Sequence, residues 1–180
     1  PLAQPTAFYA ACHQDARTRA THFIGGPAIA FAILIPMAWL DVTASGVRVS
    51  LATAFTLAVL LYYVRLDLAL AVVAAVFFVP LLGAAEWVAA KSVSTGLGVF
   101  AVFFVGGWIF QLIGHVWERR RPALVDNLMQ IFVAPLFLIA EVFFALGLKR
   151  ALAARVRELV PDYLPQADAA PESKTGTNAA

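Results

Sequence analysis

A chain of 180 residues that is 62% hydrophobic, 13% charged and has a mean hydropathy of +0.82 carries more apolar surface than a water-soluble globule of its size can bury. Its formal charge of +2 is small, and no Lys/Arg-rich run alternates with aromatics, which excludes a nucleic-acid surface. The single Cys12 excludes an internal disulfide and a thiolate metal cluster.

Lipid is therefore the expected solvent. An open sheet cannot satisfy its edges there, so the expected fold is a bundle of helices. Residues 1–21 lack the basic stretch and apolar run of a cleavable signal peptide. Residues 5–20 are mildly amphipathic and predict a short surface helix. A hydrocarbon core about 30 Å thick needs roughly 20 apolar residues in a helix. Stretches 22–40, 47–64, 68–90 and 96–117 fit that requirement, the second ended by Arg65 and Asp67.

The fifth apolar stretch, 123–148, carries Asp126, Asn127, Pro135 and Glu141. If the first four stretches cross, Arg17, Arg19, Arg65 and Arg119 to Arg121 share one side, which the positive-inside rule makes cytoplasmic. Lys149, Arg150, Arg155 and Arg157 join that side only if 123–148 enters and returns, bent near Pro135, or lies along the interface. A fifth full crossing is the alternative. The expectation is an all-α, polytopic membrane bundle of four spans plus a re-entrant or fifth C-terminal hydrophobic segment. Residues 1–160 would form one integral membrane domain and 161–180, which lack apolar periodicity, a disordered tail. No internal repeat is visible.

Polar groups in lipid need a reason. The three histidines converge in this topology: His22 opens the first span, His115 ends the fourth, and His13 precedes the first on the same side. At about 100° per residue, Gln111, His115 and Glu118 fall within a wedge of roughly 60° on one helix face. His13 and His22, nine residues apart, would lie about half a turn from each other on an unbroken helix, so a shared centre requires a bend between them. Histidines with a carboxylate around one centre suit iron, with positions open for oxygen and substrate.

Plainer readings stand beside that one. Each histidine can be an interfacial residue, Gln111 an interhelical hydrogen bond, and Glu118 a solvated partner of the arginines that follow it. The arginines can be orientation anchors or can recognise a lipid carboxylate or headgroup. Glu86, toward the far end of the third span, reads as a snorkelling or packing partner, and Glu141 reaches the centre only if 123–148 returns. A b-type haem protein carrying electrons, with His22 and His115 as axial ligands, is one rival. A non-catalytic membrane scaffold or small carrier is another.

"YAACHQDARTRATHFIGGP" at 9–27 and "QLIGHVWERRRPALVDNL" at 111–128, with "APLFLIAEVFFALG" at 134–147, resemble the family of the yeast 2-hydroxy fatty acid dioxygenase. The resemblance runs from about residue 8 to 150. It implies an Fe(2+)-dependent dioxygenase that uses dioxygen to shorten a 2-hydroxy fatty acid by one carbon, releasing carbon dioxide. His13, His22 and His115 are the implied metal ligands, and Glu118 a fourth ligand or a catalytic base just behind the metal. Gln111, Arg119 and Arg121 would bind substrate, and the acyl tail would lie between helices lined by Phe103, Phe104, Trp108 and Phe110. The family often has Asn between the two N-terminal histidines, where this chain has Thr18. The implied partners are the acid, dioxygen and the lipid bilayer, with the oligomeric state open.

Overall fold

The computed structural model describes residues 2–13, 15–118 and 130–163, which are helical apart from one hairpin. Helix α1 (Ala3–Cys12) precedes α2 (Ala16–Ala38), and a break at residues 13–15 supplies the bend that the histidine spacing requires. Asp15 starts α2 by accepting the backbone N–H of Arg17. Strands β1 (Asp41–Ala44) and β2 (Val47–Ser50) follow, then α3 (Leu51–Leu66), α4 (Leu68–Ala89) and α5 (Val93–Glu118). Beyond them come α6 (Gln130–Ala145), α7 (Arg150–Leu159) and a 3-10 turn (Val160–Tyr163), whose Tyr163 ring meets Phe8 edge-on at 5.7 Å.

The second apolar stretch begins later than its hydropathy suggests. Ser45 and Gly46 both take positive φ (53° and 79°), a two-residue turn that pairs Val42 with Val49 and Thr43 with Arg48. Ser50 then caps α3, its hydroxyl accepting the Thr53 N–H, so 47–50 belong to the hairpin and the helix has 16 residues. Glu86 of α4 accepts hydrogen bonds from the Ser50 and Thr53 hydroxyls and is a packing partner of that cap.

Helices α2, α4 and α5 are long and apolar enough to cross a bilayer, α3 is a shorter apolar helix, and α6 and α7 form a pair bent by 117°. The outward faces agree with lipid as solvent: Val76 and Val102 are about 70% exposed. Pro135 does not break the C-terminal apolar helix. A proline costs the helix one backbone hydrogen bond and is carried inside α6, as Pro27 and Pro36 are in α2 and Pro80 in α4. The helix ends instead at Gly147 (φ 71°), where the Leu148 N–H reaches the Phe143 carbonyl and the Gly147 N–H that of Phe144.

Helix α6 starts beside the first turns of α3, with the Phe132 ring 6.1 Å from Phe55, and the Tyr63 hydroxyl donates to the Phe132 carbonyl at 2.7 Å. It ends where α2 and α4 begin: Arg19 pairs with Glu141 at 2.7 Å and Lys149 with Asp67 at 2.6 Å. Since α5 stops beside the start of α2, the segment returns the chain to the end of the bundle from which it left.

Two apolar clusters hold the bundle. One joins Tyr63, Leu70 and Phe78 to Leu136 and Ala140; the other joins Phe31, Leu34 and Ile35 to Ala85 and Val88. Helices α2 and α5 approach most closely, because a Cβ on Gly25 would lie 2.7 Å from the Gly107 carbonyl oxygen and one on Gly107 2.7 Å from Ile29.

Asp67 serves two neighbours, accepting the Ala69 and Leu70 N–H groups at the start of α4 as well as the Lys149 ammonium. Burial pushes its carboxyl up, but Lys149 and the two amides outweigh that and hold it below the ordinary 3.8. Its stabilisation is therefore present above pH 3.8 and is lost as pH falls through the lowered folded value. Asp67→Ala is expected to cost about 1–2 kcal/mol and lower the melting temperature in detergent by about 3–6 °C at pH 7. Asp67→Asn, which keeps the cap, should lose less. Equal losses in the two variants would contradict this division.

Candidate metal centre

Two carbonyls set the histidines. The imidazole of His13 donates from Nδ1 to the Tyr9 carbonyl at 2.8 Å, and that of His22 donates from Nδ1 to the Thr18 carbonyl, also at 2.8 Å. A carbonyl only accepts, so each ring carries its proton on Nδ1 and its lone pair on Nε2. The Tyr9 ring stacks on His13 (centroids 4.1 Å, planes 8° apart) and is backed by Phe137 of α6. The His13 and His22 Nε2 atoms then face each other at 3.2 Å. Two lone pairs aimed at one point, with no hydrogen between them, could hold a cation.

His115 of α5 is the third member. Its ring lies 5.5 Å from that of His13 and 5.1 Å from that of His22, and the three ligating nitrogens fall within 4.8 Å of one another. A metal about 2.1 Å from each nitrogen sets adjacent donors about 3 Å apart, the spacing that His13 and His22 already have. His13 and His22 are buried and His115 is half-buried. Burial, reinforced by the neighbouring His22, pushes His13 down from 6.5 to about 3, so its lone pair is available at any physiological pH.

Gly114 lets α5 come this close. The Thr18 hydroxyl donates to the Gly114 carbonyl at 2.9 Å, and a Cβ on Gly114 would lie 2.5 Å from the Thr21 hydroxyl oxygen and 3.3 Å from the His22 ring. Thr18, where the family often has Asn, thus joins the two helices through its hydroxyl and orients His22 through its carbonyl. Sequence reasoning missed Tyr9, Thr18 and Gly114 in these roles. The signal for the first two lies in the helix repeat, since each precedes its histidine by four residues.

An apolar groove of about 410 Å³ opens from the three histidines and runs between α2, α3, α4 and α6, past Phe55, Phe77, Phe78 and Phe132. Of the α5 aromatics expected to line it, Trp108 does. Phe103 packs against Phe31 and Phe104 stacks on Phe100, and neither these two nor Phe110 lines the groove, because α5 is apolar all round and turns those rings elsewhere. Gln111 lines the groove beside the histidines, and its Oε1 is buried with no hydrogen-bond partner among the described residues. Glu118 ends α5, but its side chain, like Arg119 and Arg121, lies outside the described residues.

The sequence pattern of the family described as "2-hydroxy-palmitic acid dioxygenase Mpo1-like" matches residues 1–146. The 2-hydroxy-palmitic acid dioxygenase MPO1 of Saccharomyces cerevisiae is 55% identical over 53 residues. That match spans 28% of this chain and 28% of the yeast protein. No solved structure matches significantly. The family match takes in all three histidines and both segments that carry them, and the chain belongs to the Mpo1-like family.

Proposed function

We propose that the protein is an iron-dependent dioxygenase that shortens 2-hydroxy fatty acids by one carbon. The observation that carries the reading is the pair of facing Nε2 lone pairs at 3.2 Å, with His115 beside them, at the head of an apolar groove. The family and the yeast relative's name support the substrate class. His13, His22 and His115 would hold Fe(2+), which supplies the electron transfer that lets dioxygen react with carbon.

The chain's own residues do the rest. The groove takes the acyl chain out of water, which places the polar head at the histidines. The Gln111 Oε1, buried beside them, accepts the hydrogen of the 2-hydroxyl and orients carbon 2. The Tyr9 and Thr18 carbonyls hold the imidazoles in the tautomer that leaves Nε2 free. On the motif, Glu118 is proposed as ligand or base, and Arg119 and Arg121 as contacts to the head. In balance, one acid and one dioxygen give an acid one carbon shorter, carbon dioxide and water; carbon 2 becomes the new carboxyl carbon.

The basic residues around the histidine end of the bundle support a cytoplasmic setting for the site. A haem between His22 and His115 would need the space that the His13 ring fills, so the three-histidine geometry favours non-haem iron over an electron carrier.

The test is anaerobic purification, iron loading and incubation with 2-hydroxypalmitate under oxygen. Pentadecanoic acid is expected, with one oxygen consumed per acid. Chelation should abolish the product, and Fe(2+) but not Zn(2+) should restore it. No shortened acid from any of several 2-hydroxy chain lengths, or a Soret band with full activity, would refute the proposal.

A further inference from the structure

The apolar groove follows one face of α2, from His22 past Gly26 and Ala30 to Leu34. Twelve residues of helix separate His22 from Leu34, about 18 Å at 1.5 Å per residue. The other walls stop at the same depth. Helix α3, which runs the opposite way, last lines the groove at Phe55, and α4 last lines it at Phe78. Beyond that level the three helices pack on one another. Leu34 belongs to an apolar cluster with Ile35, Ala38, Ala52 and Ala85, all four fully buried and none of them lining the groove. Leu34 therefore stands where open space gives way to packed core.

An extended chain advances about 1.3 Å per bond. With carbon 2 beside His22, about 14 bonds reach Leu34, which brings carbon 16 to it. In a bilayer the tail leaves hydrocarbon for hydrocarbon, so added carbons gain nothing by entering the groove. They must instead be fitted against side chains that are already packed. Ala30 lies one helical turn short of Leu34 on the same wall. Its small side chain leaves the last part of the groove open, since a larger one would end it about 6 Å, or roughly four to five bonds, sooner.

We propose that Leu34 is the end stop of the acyl groove, setting an upper chain length near 16 carbons, and that Ala30 keeps the final turn of the groove accessible. The ligand's identity rests on the fatty-acid reading above, but the test does not depend on turnover.

In nanodiscs of one lipid composition, 2-hydroxy acids of 12, 16 and 18 carbons are compared at equal mole fraction on the full chain treated with chelator. Binding is read from the fluorescence of Trp108 in the groove wall, with Trp108→Phe as the blank. The 16-carbon acid is expected to bind about tenfold more tightly than the 18-carbon acid, the effect of overpacking against Leu34. Leu34→Ala, which removes three carbons from the stop, should bring the 18-carbon acid level with the 16-carbon acid. Ala30→Leu should act in the opposite direction, weakening the 16-carbon acid about tenfold and leaving the 12-carbon acid unchanged. An 18-carbon acid that binds the parent as tightly as the 16-carbon acid overturns the end stop, because the tail then escapes sideways past the exposed Ile33 and Phe55. An unchanged length preference in both variants overturns it as well. A preference shifted by the variants, without any shortened product from 2-hydroxypalmitate, upholds the end stop and refutes the oxygenase instead.

Discussion

Replacing any one of His13, His22 and His115 by alanine is expected to lower iron binding and turnover by more than about 100-fold. Removing a partner that merely orients a metal ligand costs about 10–100-fold, and a ligand itself costs more. The same geometry bears on stability. Without metal, the Nε2 atoms of His13 and His22 face each other as two acceptors, an arrangement that a bound cation would relieve. His22→Ala should therefore leave the melting temperature of the metal-free protein near that of the parent. The parent should gain about 2.7 kcal/mol from iron supplied at 100 times its dissociation constant, and the variant about 0.4 kcal/mol or less. Metal analysis, turnover and paired melting curves with and without Fe(2+) check this. A variant that unfolds in the absence of metal would mark the histidine as structural. One that still binds a full equivalent of iron would remove it from the ligand set.

Gly114→Ala is expected to impair the site nearly as much without touching a ligand. The new methyl carbon would sit 2.5 Å from the Thr21 hydroxyl oxygen and 3.2 Å from the Thr18 methyl, so α5 must move away from α2 or Thr21 must surrender its bond to the Thr18 carbonyl. Overpacking of this kind costs about 1–3 kcal/mol. The residue that moves with Gly114 is His115, and a displacement of about 1 Å at a reacting centre costs on the order of 100-fold in rate. Gly98 is on the same helix, where an added Cβ meets nothing within 4 Å. Gly98→Ala should keep full activity and gain up to about 1 kcal/mol from helix propensity. If Gly114→Ala matches Gly98→Ala in iron content, turnover and melting temperature, the close approach of the two helices does not matter to the site.

Neighbouring residues show where sequence reasoning stops. The convergence of the histidines was legible because it follows from topology: alternating apolar stretches bring the start of the first and the end of the fourth to one side. The break between His13 and His22 was legible because their spacing is half a helical turn out of phase. Gly114 gave no such signal. It lies among residues apolar on every side, so no polar face marks which way the helix turns inward, and only the contact with Thr21 reveals what its missing side chain permits. The same lack of a stripe misdirected the expectation for Phe103 and Phe104.

By itself, then, the sequence determined that this is a helical membrane protein and that its histidines gather at one end. Hydropathy and span order are properties of the chain that any packing in lipid must respect. Tertiary structure decided that Val47–Ser50 leave the second helix for a hairpin and that the last apolar helix continues through Pro135 and ends at Gly147. It also decided that the groove runs along α6. These depend on rotations and close approaches between helices. In an almost uniformly apolar chain such contacts are chosen by side-chain shape and by a few buried hydrogen bonds, and neither leaves a periodic mark on the sequence.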